Sequence, residues 1–175
     1  MKIMVLSDSH GKIDLMADVV LKHAGDSAGD SVGNTAKGIE HVFFLGDYIS
    51  DCTKLIERLK PHKLKLSYHM VPGNCDYYSS EPLELLLDFK GKKFWLLHGH
   101  KYDVKHDYSS LIHAAISKGA DVCLFGHSHV PLQFEKNGIL FLNPGSISQP
   151  RGTLGKSYAI LEILDNAVLA NIIEA

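Results

Sequence analysis

Short groups of Asp, His and Asn beside Gly recur along the chain, each directly after an apolar run that would end there as a strand. The five groups are Ser7-Asp8-Ser9-His10-Gly11, Gly46-Asp47, Gly73-Asn74-Cys75-Asp76, His98-Gly99-His100 and Gly126-His127-Ser128-His129. In open α/β sheets, ligands bind at the carboxyl ends of the strands. The adjacent glycines permit tight turns and close backbone approach. We therefore expect these polar side chains to converge on one crevice.

The side chains in these groups are of the types that bind divalent metal ions. Seven of them could donate to a metal, namely Asp8, His10, Asp47, Asn74, His98, His127 and His129. Carboxylate, amide and imidazole donors without a thiolate suit Mn²⁺, Fe or Zn²⁺ better than Cu(I) or an iron–sulfur cluster. Asp8/His10 and His127/His129 are two residues apart, so in an extended segment each pair would point to one side. Seven donors are too many for one tetrahedral zinc and suit two ions that share a carboxylate.

Each group alone also has a purely structural explanation. Asp-x-His is common, and Gly-Asp and Gly-Asn are ordinary turn dipeptides. Five groups at successive strand ends favour a metal site over five unrelated turns. His100 lies two residues after His98 and could support the ligands or face a substrate. The other histidines lack a companion donor and are predicted to be structural: His23, His41, His62, His69, His106 and His113.

The elements that must position these groups alternate in the order typical of βαβ units. Apolar runs predict strands, and apolar residues at helical spacing predict helices between them. The predicted strands are Lys2–Leu6, His41–Leu45, Leu64–Val71, Phe94–Leu97 and Asp121–Phe125, and the predicted helices are Lys12–His23, Asp51–Leu59 and Ser109–Lys118.

Hairpins are predicted in the rest of the chain. Leu132–Glu135 and Ile139–Leu142 flank an Asn-Gly turn, which is a strong hairpin signal. Tyr158–Leu164 and Ala167–Ile173 flank Asp165-Asn166 in the same way. Leu83–Phe89 could pair with Phe94–Leu97 around Gly91 or could be helical. Gly25–Gly38, rich in Gly, Ser, Asp and Asn, is predicted to be a surface loop.

Composition narrows the class of protein. A chain of 175 residues with 45% hydrophobic and 22% charged residues predicts one globular domain, residues 1–175. A net charge of −2 provides no long-range attraction to nucleic acid or to an anionic membrane. Three cysteines without a C-x-x-C pair argue against a secreted disulfide framework and predict a cytoplasmic protein. The apolar runs are too short for a signal peptide or a membrane span.

In their order and in the residues of all five groups, these segments resemble the calcineurin-like metallophosphoesterase superfamily, whose pattern is D-x-H, G-D, G-N-[HC]-[DE], H-G-H and G-H-x-H. The short length, Gly-Asn-Cys-Asp and the segment from Asn143-Pro144-Gly145-Ser146 to Pro150-Arg151 resemble its small YfcE-type phosphodiesterase branch. The resemblance implies an α/β (α+β) fold, a four-layer αββα sandwich. It also implies that Asp8, His10 and His129 hold one metal ion, that Asn74, His98 and His127 hold another, and that Asp47 bridges the two.

Two departures from the superfamily pattern bear on activity. The residues after Asp47 lack the Asp-Arg pair of the Ser/Thr phosphatases, which weakens a protein-phosphatase interpretation. Cys75 stands where many members have a histidine that assists the leaving group. A thiol with an ordinary pKa of about 8.5 is a weak substitute for an imidazolium. Arg151 is the best remaining candidate for a phosphate contact, with Asp76 and His100 as supporting groups.

The resemblance implies a metal-dependent phosphodiesterase in which a hydroxide that bridges two divalent ions attacks phosphorus. Mn²⁺ is the expected metal, with Ni²⁺, Zn²⁺ and Fe as alternatives. The expected substrate is a small phosphodiester, and homo-oligomer formation is left open. The expected catalytic residues are Asp47, Asn74, His98, His100 and Arg151. The alternatives are a phosphomonoesterase with the same site and a non-catalytic scaffold on the same fold, as in a retromer subunit.

Overall fold

The computed structural model describes residues 1–25, 38–165 and 167–175. Strands and helices alternate in its first half, and hairpins dominate the second. The elements are β1 (Lys2–Leu6), α1 (Ile13–His23), β2 (His41–Phe44), α2 (Ile49–Leu59), β3 (Ser67–Met70), β4 (Glu84–Phe89), β5 (Lys92–Leu97), α3 (Ser109–Lys118), β6 (Val122–Leu124), β7 (Leu132–Lys136), β8 (Ile139–Asn143), β9 (Ser157–Ile163) and β10 (Val168–Glu174). Short 3₁₀ helices occupy Lys60–His62 and His100–Tyr102. No helix in the described ranges is long and apolar enough to cross a membrane.

The strands form two mixed five-stranded sheets. The first has the order β10-β9-β1-β2-β3, in which β1, β2 and β3 are parallel. The second has the order β4-β5-β6-β8-β7, in which β5, β6 and β8 are parallel. Antiparallel pairs complete each sheet: β9 pairs with β1 and with β10 in the first, and β4 with β5 and β7 with β8 in the second. The carboxyl ends of the parallel strands are therefore free to carry the polar groups.

Alternating side chains stack the elements into four layers. In β1, Ile3 and Val5 face the apolar cluster between the two sheets, whereas Met4 and Leu6 pack under α1 and α2. On the far side, Leu111 of α3 packs in a third cluster with residues of the second sheet. Strands buried on both faces read as continuous apolar runs, as β1 does. The four-layer αββα sandwich is confirmed.

Most predicted elements are confirmed, and their boundaries differ by a few residues. Leu83–Phe89 contributes a strand rather than a helix, because β4 pairs with β5. The third strand is shorter than predicted, since Leu64 and Leu66 pack in the helix-side cluster before β3 begins. The predicted loop Gly25–Gly38 falls mostly on residues 26–37, and the predicted Asp165-Asn166 turn includes residue 166. These positions lie outside the described residues.

Candidate metal centre

All five polar groups follow strands of the parallel parts of the sheets, as predicted: they begin within three residues of the ends of β1, β2, β3, β5 and β6. Backbone hydrogen bonds join neighbouring groups within each sheet, from Asp8 N to Gly46 O (3.0 Å) and from Gly126 N to His98 O (3.0 Å). The ring of His98, which follows β5 in the second sheet, reaches the first sheet, where its Nδ1 lies 2.6 Å from the carbonyl oxygen of Leu45. The carboxyl ends of both sheets thus meet at one place.

Five of the candidate ligands have left-handed backbones. The φ angles of Asp8, His10, Asp47, His127 and His129 are 55°, 40°, 59°, 67° and 61°. The two i, i+2 pairs therefore do not lie in extended segments, and tight turns rather than strands orient these side chains. Such conformations are uncommon for residues other than glycine, cost about 1–3 kcal/mol each and cluster at functional sites.

Four candidate ligands lie close together, three of them after strands of the first sheet and His129 after β6 of the second. Donor atoms of Asp8, His10, Asp47 and His129 all lie within 4.8 Å of one another. His129 Nε2 is 3.1 Å from Asp8 Oδ1, and His10 Nε2 is 4.0 Å from Asp47 Oδ2. Within the described residues, Asp8 Oδ1 and His10 Nε2 are buried and make no hydrogen bond. Buried polar atoms nearly always have a partner, so these two fit a cation site.

The remaining candidates gather around His98. Its Nε2 lies 3.2 Å from Asn74 Oδ1, 3.2 Å from His127 Nδ1 and 3.4 Å from Asp47 Oδ1. Asp47 therefore lies between two groups of donors, with Oδ1 near His98 and Oδ2 near His10. This is the placement that a bridging carboxylate requires.

Backbone carbonyls set the tautomers of two of these histidines. His98 Nδ1 lies 2.6 Å from Leu45 O, and His129 Nδ1 lies 2.7 Å from Gln149 O. A carbonyl only accepts, so each Nδ1 must carry the hydrogen and donate it. Where either ring is neutral, its Nε2 carries the lone pair and is directed at the donor cluster. Such hydrogen bonds are typical of metal-binding histidines.

The electrostatics of the cluster keep Asp47 ionised and His127 neutral. Burial alone would raise the pKa of Asp47, but hydrogen bonding and charge attraction from His98, together with the Cys75 N–H, hold that pKa well below its ordinary value. Burial, His98 and Lys105 lower the pKa of His127 to about 4. Burial would lower the pKa of His98, but Asp47 and Asp8 outweigh it and raise that pKa. The site thus offers an anionic carboxylate donor, Asp47, and a neutral nitrogen donor, His127.

Asp51 supports His10, a role that the sequence analysis missed. Its buried Oδ2 accepts hydrogen bonds from Ser9 Oγ (2.7 Å) and from Gly11 N (2.7 Å), the residues on either side of His10. Asp51 shares the buried stripe of α2 with Cys52 and Leu55. A carboxylate at helical spacing with apolar residues was the signal that could have revealed it.

The end of β8 and the segment that follows it also support the site. Ser146 Oγ and Ser148 Oγ donate to the carbonyl of Asp8 at 2.8 and 3.0 Å. Asn143 Nδ2 donates to Gly126 O (2.8 Å) and to Ser128 Oγ (3.0 Å). This segment therefore holds the turns that carry Asp8 and the His127–His129 pair.

Three further candidates lie at the periphery of the cluster. Arg151 donates its backbone N–H to His129 O (3.1 Å), and its side chain is exposed. The ring of His100 lies 5.5 Å from that of His98 and 6.1 Å from that of His127, between centroids. Cys75 is exposed and donates its N–H to Asp47 Oδ1. Burial and the charge of Asp47 raise the pKa of its thiol to about 11.

Residues 1–166 match the family model described as Calcineurin-like phosphoesterase superfamily domain. The chain is 31% identical to the probable metallophosphoesterase YsnB of Bacillus subtilis, over 95% of this chain and 87% of that protein. It is 28% identical to the phosphodiesterase YfcE of Escherichia coli K12, over 97% and 90% of the two chains. A crystal structure of a predicted phosphoesterase from Streptococcus pneumoniae superposes with a TM-score of 0.76 at 32% identity, covering 99% of this chain and 88% of that one.

Proposed function

The chain belongs to the calcineurin-like phosphoesterase superfamily, and from this premise we propose that it hydrolyses phosphodiester bonds with the help of two divalent metal ions. One observation carries the proposal: the two carboxylate oxygens of Asp47 are directed at two separate groups of donors. We also propose that residues 1–175 form one domain and that the enzyme acts in the cytoplasm.

The donors fit two hard or borderline divalent ions, with Mn²⁺ as the expected metal. Asp8, His10 and His129 would hold one ion, Asn74, His98 and His127 the other, and Asp47 both. The buried, unpaired Asp8 Oδ1 and His10 Nε2 support this assignment. When bound, such ions acidify water and polarise phosphoryl oxygens.

The chain's own residues orient these donors and the substrate. Asp47 stays anionic because of its neighbours, and the carbonyls of Leu45 and Gln149 keep His98 and His129 in one tautomer. Arg151, whose backbone is bound to His129, would place its guanidinium against the anionic phosphate. His100, beside His98 and His127, would contact the ester at the edge of the site.

The residue at position 75 favours aryl phosphodiesters over alkyl monoesters. A nitrophenolate leaves without a proton, whereas an alkoxide needs one from a general acid, which is typically worth about 10²–10⁴-fold in rate. The Cys75 thiol, with its pKa raised to about 11, is a poor acid for this purpose. The similarity to the phosphodiesterase YfcE also supports this choice.

A non-catalytic scaffold on this fold is the alternative from another class. Five strained backbones and two buried polar atoms without a hydrogen bond are costly, and they give no benefit to a protein that only docks others. The retained donors therefore favour the enzyme.

Metal-dependent turnover tests the proposal. Protein freed of metal should hydrolyse bis-p-nitrophenyl phosphate after addition of Mn²⁺, Ni²⁺ or Zn²⁺, and should hydrolyse p-nitrophenyl phosphate more slowly. The circular dichroism of the metal-free protein should stay that of a folded chain, because the core is large enough to fold without metal. Absence of diester turnover with every metal would contradict the proposal, and faster monoester turnover would favour the phosphomonoesterase.

A further inference from the structure

Three tyrosines follow the candidate ligands directly in the chain. Tyr48 comes after Asp47, and Tyr77 and Tyr78 come after the Asn74-Cys75-Asp76 turn. Tyr48 is 44% exposed, Tyr77 is 86% exposed and Tyr78 is fully exposed. We call Tyr48, Tyr77 and Tyr78 the tyrosine rim.

Two consecutive turns place the backbone of Tyr77 and Tyr78 next to the turn that carries Asn74. A hydrogen bond from Asp76 N to Gly73 O (3.2 Å) closes the first turn, which has Asn74 at its centre. A hydrogen bond from Ser79 N to Asp76 O (3.0 Å) closes the second, which has Tyr77 and Tyr78 at its centre. The turn that displays the two tyrosines therefore starts where the turn with the candidate ligand ends.

The carboxylate of Asp76 joins both turns to the backbone beside Tyr48. Its Oδ2 accepts a hydrogen bond from Gly73 N (2.8 Å), and its Oδ1 accepts one from Ile49 N (2.8 Å). Ile49 is the residue after Tyr48. One side chain thus links the two loops that carry all three tyrosines.

Tyr48 connects this aromatic surface to the candidate ligands themselves. Its ring centroid lies 4.9 Å from that of His10, with the planes tilted by 57°. Its backbone is left-handed, with φ 70° and ψ 57°. For a bulky residue this conformation is a genuine outlier, and strain of this kind concentrates at functional sites.

Packing in the core does not account for the exposed pair. Neither Tyr77 nor Tyr78 belongs to an apolar cluster of the described residues. Tyrosine supplies a large, rigid contact surface at low cost in conformational entropy, which suits it to ligand binding. Aromatic side chains at the edge of a phosphoesterase site are suited to stack on a planar ring of the substrate.

We propose that the tyrosine rim binds a planar aromatic group on the phosphodiester, of which a nucleobase is the biological case. This inference rests on the proposed phosphodiesterase function. The net charge of −2 gives no attraction to a long polyanion, so the ligand is a short nucleoside ester rather than a nucleic-acid strand. Stacking is tolerant of base identity, so the rim selects for an aromatic ring without reading its edge.

Direct binding of three non-aryl diesters isolates the contribution of the base. Thymidine 5′-(methyl phosphate), its abasic deoxyribose counterpart and dimethyl phosphate carry the same phosphodiester anion and differ only in what is attached to it. Calorimetric titration of the Mn²⁺-loaded protein should show the thymidine ester binding roughly 5- to 150-fold tighter than the abasic ester, which is the fold-change that stacking of one base supplies.

The ratio to follow is the dissociation constant of the abasic ester divided by that of the thymidine ester. The double variant Tyr77→Ala/Tyr78→Ala should reduce this ratio towards one and leave the dissociation constant of dimethyl phosphate unchanged. The variant Tyr77→Phe/Tyr78→Phe keeps both rings and should retain the ratio. Leu169→Ala, a truncation at an exposed apolar residue of β10, is the control for loss of surface area. The thermal midpoints should be equal, because both tyrosines are exposed.

A ratio near one in the wild type, or a ratio that survives the double alanine variant, would overturn the inference. Loss of the ratio in the phenylalanine variant would do the same, because the hydroxyls rather than the rings would then bind. These outcomes are separate from failure of the proposed function, which would appear as absence of bis-p-nitrophenyl phosphate turnover in the wild type.

Discussion

At the scale of single residues, the candidate centre depends on side chains that hold the ligands as much as on the ligands. His10 is bracketed by Ser9 and Gly11, and both are bound to the Asp51 carboxylate. Asp51 itself is almost completely buried, and Lys54 Nζ lies 3.7 Å from its other oxygen. Partners of this kind orient a ligand without touching the metal, and their loss typically costs 10–100-fold in metal affinity or activity.

We therefore expect Asp51→Asn to weaken metal binding by roughly 10–100-fold, because an amide cannot accept both hydrogen bonds as strongly as a carboxylate does. Titration of the metal-free protein with Mn²⁺ measures this affinity. Asp14→Asn, the same change at an exposed position of α1, is the matched control and should leave the affinity unchanged. Equal affinities in the two variants would show that Asp51 does not position His10.

At the scale of elements, the ends of neighbouring strands are packed too closely to admit an extra atom. A Cβ added at Gly73, after β3, would overlap the Asp47 carboxylate and the Asp47 backbone nitrogen. A Cβ added at Gly126, after β6, would overlap Ser7 Oγ and lie 2.9 Å from Asp8 Oδ2. Glycine is needed at these two positions because the backbone of each lies against a candidate ligand of a neighbouring group, Asp47 for Gly73 and Asp8 for Gly126.

We expect Gly73→Ala to displace Asp47 and to lower both metal content and diester turnover, with a loss of stability of about 1–3 kcal/mol from overpacking. Gly138→Ala is the control: its φ of 75° imposes strain, but no atom lies near the added Cβ. It should lose stability and keep its activity. Denaturant unfolding and turnover, measured side by side, separate the two effects, and wild-type turnover in Gly73→Ala would contradict the packing argument.

The strands and the groups at their ends could be predicted from the sequence, because apolar runs and terminal Gly, Asp and His are local signals. The local pattern also predicted the β7–β8 hairpin, where Asn137 and Gly138 both have positive φ. Contacts between distant segments could not be predicted. The hydrogen bond between His98 and Leu45 joins two sheets, and Asn143 reaches Gly126 through packing of the folded chain. The adjacent glycines indicated tight turns, but the left-handed backbones of the Asp and His residues themselves were not predicted, because the local sequence does not fix the φ of a single residue.

At the scale of the whole molecule, the sandwich contains a pair of neighbouring histidines that are not among the candidate metal ligands. His41 of β2 and His69 of β3 lie 5.6 Å apart between ring centroids, against Phe43 and Phe89. Burial lowers the pKa of His41, although Glu40 opposes this. Burial and the charge of His41 lower the pKa of His69. Both rings are therefore neutral in the folded protein at neutral pH.

The ordinary pKa of histidine is about 6.5. Because the fold lowers the pKa of both rings, the unfolded chain binds more protons than the folded protein once the pH is below that value. The free energy of unfolding should therefore fall as the pH drops below about 6.5. His69→Gln removes one of these protonation sites and should reduce the loss of unfolding free energy between pH 7 and pH 5. Urea unfolding at the two pH values measures it. His62→Gln, at an exposed histidine, should keep the wild-type loss, and an unchanged loss in His69→Gln would show that the half-buried pair does not determine acid sensitivity.

The proposal that Asp47 bridges two ions is the central claim, and metal content per chain tests it most directly. Mass spectrometry of the metal-loaded protein should find two ions per wild-type chain. Asp47→Asn should lose more metal than His10→Gln or His98→Gln, because its carboxylate lies between both groups of donors whereas each histidine serves one. Its diester turnover should be abolished. Two ions retained by Asp47→Asn, with turnover near that of the wild type, would contradict the account.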